Sequence, residues 1–153
     1  MNADVVELPA MRVATVSHRG PYNQISAAFG RLGQLAGAAG LFGPESAMVG
    51  IYHDDPTKTP AAELRSEAAL VVPANAAIPA GLGEGSIPAG RHARMTHVGP
   101  YEGLGAAWSQ LTGQWLTHSG HAIRDGVSFE IYRNMPGQVP NDQLITELYL
   151  PVT

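Results

Sequence analysis

The chain contains no cysteine. Disulfides, thiolate nucleophiles and thiolate metal sites are therefore excluded, and the composition suits a reducing compartment. Charge is also scarce. Asp, Glu, Lys and Arg make up 14% of the 153 residues, the formal net charge is -4, and Lys and Arg never form a run. Nucleic-acid binding rests on a basic patch, so direct contact with nucleic acid is not expected. No apolar run approaches the roughly 18 residues of a membrane span. The first residues carry Asp4 and Glu7 and lack the basic stretch of a secretory signal. A cytoplasmic protein with no membrane association is the expectation.

Several chemistries lack their residues as well. Six histidines occur without a tight ligand spacing, so neither a metal nor a cofactor is expected. Gly81-Leu82-Gly83-Glu84-Gly85 is not followed by Lys-Ser/Thr, so it is no phosphate loop. Ser17 and Ser26 do not sit in a nucleophile elbow.

What the chain does have is a repeat. Leu8–Tyr22 reads LPAMRVATVSHRGPY and Ile87–Tyr101 reads IPAGRHARMTHVGPY, with eight of fifteen positions identical at an offset of 79 (87 − 8). The correspondence continues at an offset of 80 through GIYHDDP from Gly50 and EIYRNMP from Glu130. It ends with SEAALVV from Ser66 and TELYLPV from Thr146. Each half reads strand, helix, strand, strand. A short extra strand is expected near Asp4–Leu8, with a counterpart near Gly85–Ile87. Apolar residues form 44% of the chain, enough for one cored domain. The expected fold is α+β: tandem strand-helix-strand-strand modules, residues 4–73 and 85–153, forming one curved antiparallel sheet with two main helices. Pro73–Gly85 serves as the crossover.

Periodicity places the elements. Leu104, Trp108, Leu111 and Trp115 recur at i, i+4, i+7 and i+11, an apolar helical stripe begun by Pro100 and stopped by Gly120. Ile25, Phe29, Leu32 and Ala36 do the same in the first half, ahead of Gly40. Gly30, Gly33 and Gly37 interrupt that helix, and each costs about 1 kcal/mol against alanine. In the strands, Phe129 and Ile131 alternate with Glu130 and Tyr132, while Leu148 and Leu150 alternate with Glu147 and Tyr149. If the apolar faces meet the helices, the opposite face carries two carboxylates and two phenols.

The halves differ where a function needs asymmetry. Glu130 stands opposite Gly50 in the alignment and Tyr149 opposite Ala69, whereas Tyr52 matches Tyr132 and Glu67 matches Glu147. Glu130 is the first candidate site residue, with Gly50 leaving space. Glu147, Tyr132, Tyr149, Tyr101 and Trp108 are further candidates to line a ligand cleft. Trp108 and Trp115 lie on the apolar stripe, so a core role competes with a ligand role for both. His18 and His97 precede Gly-Pro-Tyr in both halves, which argues for a structural bond at the strand-to-helix turn.

The stretches VELPAMRVATVSHRGPY, IPAGRHARMTHVGPYEGL, QWLTHSGH, FEIYRNMP and LITELYLPV resemble, in this order and over nearly the whole chain, the GyrI-like family. That family includes DNA gyrase inhibitory proteins and the effector-binding domains of multidrug-sensing regulators. The resemblance implies a ligand cleft at the junction of the two modules, with aromatic walls and a buried glutamate. The family glutamate sits in an F-E-x-Y strand, which Phe129–Tyr132 matches, so the role passes to Glu130. Three functions follow from the resemblance. The first is binding of a small apolar or cationic molecule. The second is hydrolysis of strained, cyclopropanoid-type compounds with Glu130 as general acid or base. The third is inhibition of a protein partner such as DNA gyrase. The chain has no room for a helix-turn-helix, which implies a stand-alone member.

Overall fold

The computed structural model describes residues 3–153. In chain order the strands and helices are β1 (Ala3–Leu8), β2 (Met11–Arg19), α1 (Ser26–Ala38), β3 (Met48–Tyr52), β4 (Arg65–Val71), β5 (Gly83–Ile87), β6 (Gly90–Val98), α2 (Leu104–Ser109), α3 (Leu116–Ser119), β7 (Ser128–Tyr132) and β8 (Ile145–Pro151). The class is α+β, and the strand-helix-strand-strand order occurs twice, as β2-α1-β3-β4 and β6-α2-β7-β8. The chain divides into two units, Ala10–Pro88 and a second made of β1 with Ala89–Thr153.

In Ala10–Pro88 the antiparallel order is β3-β4-β2-β5. In the second unit it is β1-β6-β8-β7. The two short strands are thus exchanged. β1 precedes the first repeat but pairs with β6 of the second, Asp4 opposite Arg94 and Glu7 opposite Arg91. Ion pairs reinforce this register at 2.7 Å for Arg94–Asp4 and 3.0 Å for Arg91–Glu7. β5, from the connector, closes the sheet of the first repeat beside β2.

Each unit buries its own apolar stripe. Ile25, Ala28, Leu32 and Ala36 of the α1 region pack on Ala14, Ala68 and Leu70. Ala107 and Leu111 pack on Ala93, Met95, Leu148 and Leu150. Side chains that share one face of a strand recur every second residue, so the even positions of β4 and β8 face the helices. Gly40 and Gly120 end the two helical segments at φ +68° and +80°, where L side chains are strained.

The second helix departs from the uniform α-helix that its periodicity predicts. Between α2 and α3, Gln110–Trp115 forms a π-helical turn. The Thr112 hydroxyl donates to the Trp108 carbonyl at 2.9 Å and the Thr117 hydroxyl to the Gly113 carbonyl at 2.5 Å. Hydroxyl groups that bond back to the preceding turn compete with the regular ladder.

The expected histidine turns are present in both halves. His18 Nε2 lies 3.1 Å from the Pro21 carbonyl, and His97 Nε2 lies 3.0 Å from the Pro100 carbonyl. Gly20 and Gly99 follow at φ +124° and +137° and donate to the Leu64 and Leu144 carbonyls.

Candidate ligand-binding site

β7 is short and apolar at Phe129 and Ile131, so its one acidic residue is held between buried neighbours. Glu130 is 3% exposed. Its register partner on β8 is Leu148, which belongs to the core beneath Leu111. Glu130 therefore projects on the helical face of the sheet. There the indole Nε1 of Trp108 donates to Oε2 at 2.6 Å. The Tyr132 hydroxyl donates to Oε1 at 2.7 Å. The Tyr101 ring lies against Tyr132, centroids 5.7 Å apart. Burial, and then the nearby negative charge of Glu130, raise the Tyr101 phenol above its ordinary pKa of 10.0. Four residues from three elements thus converge: a turn, a helix and a strand each bring an aromatic ring to one carboxylate.

This grouping corrects the expected one. The sequence pattern put both carboxylates and both phenols on the face away from the helices. The register puts Phe129 opposite Tyr149 and Ile131 opposite Glu147, so Glu147 and Tyr149 share the other face. There the Tyr149 hydroxyl donates to Glu147 Oε1 at 2.8 Å, and Arg133 Nη2 approaches the same oxygen at 2.6 Å. Burial works to raise the Glu147 pKa, but the bonds from Arg133 and Tyr149, with the charges of Arg133 and Arg94, outweigh it and lower it. Tyr149 is raised by burial first and by its bond to Glu147 second. Its ring stacks on Phe129, centroids 4.8 Å apart and planes 9° apart.

His92, a buried residue outside the expected candidates, stands where the first half has Val13. It is 2% exposed and lies edge-on to Phe129, centroids 5.4 Å apart. Nδ1 lies 3.0 Å from the Gly90 carbonyl. Burial lowers its pKa from the ordinary 6.5. The signal was available in the repeat, where the aligned position is the apolar Val13.

The internal repeat gives a control for the site. Tyr22 and Tyr52 pair as Tyr101 and Tyr132 do, centroids 4.7 Å apart. Yet Tyr22 is bound into the backbone: its hydroxyl donates to the Asp54 carbonyl at 2.7 Å and accepts from the Asp54 N–H at 3.0 Å. The Tyr101 hydroxyl has no such bonds among the described residues. Gly50 is buried in β3 opposite Ala68, and belongs to the unit Ala10–Pro88. Trp115 is half-buried, packs on the core and stacks on His121, centroids 5.9 Å apart. Of the two tryptophans, Trp108 is the one bonded to Glu130.

A family model described as the GyrI-like small molecule binding domain matches residues 1–153. The chain belongs to the GyrI-like family. A curated GyrI-like relative, a DNA gyrase inhibitor of Erwinia billingiae, is 30% identical over 159 residues, covering 100% of this chain and 98% of the relative. Among solved structures, the C-terminal domain of EcmrR superposes with a TM-score of 0.81 at 21% identity, over 99% of this chain and 97% of that one. SAV2435 bound to tetraphenylphosphonium superposes with a TM-score of 0.69 at 15% identity, over 100% of this chain and 94% of that one. At these identities the two structures establish the shared fold. Within the GyrI-like fold, the described residues hold no group of three or more His, Cys, Asp or Glu able to grip a metal. No helix among them is long and apolar enough to cross a membrane.

Proposed function

We propose that this GyrI-like chain binds a small, largely apolar organic molecule, cationic where charged, with Glu130 as polar anchor and Trp108, Tyr132 and Tyr101 as the surrounding aromatic surface. The observation that carries the reading is a carboxylate 3% exposed whose oxygens accept from an indole and a phenol at 2.6 and 2.7 Å. Burying a charge is costly unless it is bonded and compensated. The indole and the phenol are neutral donors that orient the carboxylate. A cationic ligand gains Coulomb energy in a site of low dielectric, and each aromatic face adds about 0.5–2 kcal/mol.

The family's description and the tetraphenylphosphonium held by SAV2435 support this class of ligand. Gly50, Glu147 and Tyr149 enter the reading on the sequence comparison alone. Calorimetric titration of the chain with tetraphenylphosphonium and with unrelated cationic dyes tests it. Binding in the micromolar range is expected, and absence of binding to any of them by folded protein contradicts the reading.

A second reading is favoured by the name of the relative at 30% identity. The chain would inhibit DNA gyrase by contact with the enzyme. A supercoiling assay with purified gyrase checks it: inhibition that persists in Glu130→Gln assigns that activity to another surface, and no inhibition at all removes this reading.

A further inference from the structure

A second asymmetry between the repeats lies at the far end of β2 and β4. Arg19 and Arg65 are register partners, directly opposite on adjacent antiparallel strands. Side chains so placed share a face with Cβ atoms about 4.5–5.5 Å apart, and like charges there repel. The second repeat has Val98 opposite Ile145 at the equivalent positions. The first repeat has therefore placed two cations where its twin has two apolar groups.

Asp54 relieves half of this repulsion. It accepts from Arg65 Nε at 3.1 Å and from Arg65 Nη2 at 2.9 Å. Arg19 has no hydrogen bond or ion pair among the described residues. On the same face His53 Nε2 lies 2.7 Å from Glu67 Oε1. The exposed Ser17, register partner of Glu67, has a hydroxyl with no partner among the described residues. These side chains border an open hollow of about 480 Å³ lined by Ser17, His18, Arg19, His53, Arg65, Ser66 and Glu67, all within Ala10–Pro88. Ser66 carries no weight here. Its buried hydroxyl is unpartnered, but so is that of its counterpart Thr146.

We propose that this hollow is a separate site for a small oxyanion, a phosphate or a carboxylate. Arg19 is its principal donor, and Ser17, His53 and Arg65 complete it. A guanidinium presents two parallel N–H groups to such a group and binds it more strongly than a neutral donor does. Glu67 borders the hollow bonded to His53, and Arg65 is bonded to Asp54, so the charge offered to a ligand is chiefly that of Arg19. The site shares no residue with the Glu130 cluster, and its test is independent of the ligand reading above.

The experiment is a nuclear magnetic resonance titration of the isotope-labelled full chain with sodium phosphate and with sodium acetate, against sodium chloride at matched ionic strength. Saturable shifts of the Arg19 side-chain N–H are expected with at least one of the two anions, at millimolar concentration. Whichever binds more tightly names the oxyanion class. Arg19→Val, which restores the residue of the second repeat, is expected to weaken binding at least about tenfold. Arg31→Ala removes another arginine without a bonded partner and is expected to leave binding unchanged. The proposal is overturned if neither anion gives saturable shifts, or if Arg19→Val binds as tightly as the parent chain.

Discussion

The indole N–H of Trp108 donates to Glu130 Oε2 at 2.6 Å, so a helix and a strand are joined by one charge-assisted bond in a buried place. Such bonds contribute about 1.5–3 kcal/mol, and an unsatisfied partner left behind adds to the loss. Trp108→Phe keeps an aromatic ring and removes the donor. Urea denaturation is expected to show a loss of about 1.5–3 kcal/mol. A loss near zero would mean that the bond does not hold the carboxylate in solution.

His92 couples stability to pH. Its folded-state pKa is lowered from 6.5 by burial, with the Gly90 carbonyl and Glu7 acting against the shift and Arg124 acting with it. The rings of Phe129 and Tyr149 pack against it. Above 6.5 the imidazole is neutral in both states and contributes no pH dependence. Below 6.5 the unfolded chain takes up the proton first, so stability falls as pH falls until the folded-state pKa is reached. Denaturation midpoints recorded across this window are expected to decline on acidification in the parent chain and to decline less in His92→Leu. Equal slopes would remove His92 as the source.

α1 carries glycines with no packing duty. An added Cβ at Gly30 or Gly33 would meet nothing within 4 Å among the described residues, and neither backbone is in the positive-φ region. Gly30→Ala and Gly33→Ala are each expected to raise stability by about 0.5–1 kcal/mol. Thermal denaturation checks this. Destabilisation by either would show that something approaches the helix backbone there.

Much of the fold was legible in the sequence because its evidence is local. The repeated His-x-Gly-Pro-Tyr turn, the apolar stripes of the helices and the stops at Gly40 and Gly120 all lie within short windows, and all are present. The exchange of β1 and β5 was not legible, because partner choice in a sheet is settled by contacts far apart in the chain. The alternation in β7 and β8 gave the correct period but not the face. The apolar residues Phe129 and Ile131 were expected to meet the helices, which put Glu130 on the opposite face of the sheet. The structure turns Glu130 toward the helix, where Trp108 supplies a donor that periodicity alone assigned equally to the core. The choice of Glu130 over its neighbours came from comparing the repeats, since Gly50 marked the position at which the two halves had diverged. The π-helical turn left no trace, since the stripe Leu104, Trp108, Leu111, Trp115 reads as an unbroken α-helix.

The account rests on Glu130 as an anchor for cationic, apolar ligands, and equilibrium binding tests it most directly. A lipophilic organic cation is titrated into the parent chain and into Glu130→Gln, with circular dichroism recorded on both to establish that each is folded. The substitution removes one charge and keeps the shape of the side chain. Affinity at least about tenfold weaker in Glu130→Gln is the predicted result, equivalent to about 1.4 kcal/mol. Equal affinity in the two folded proteins would contradict the account.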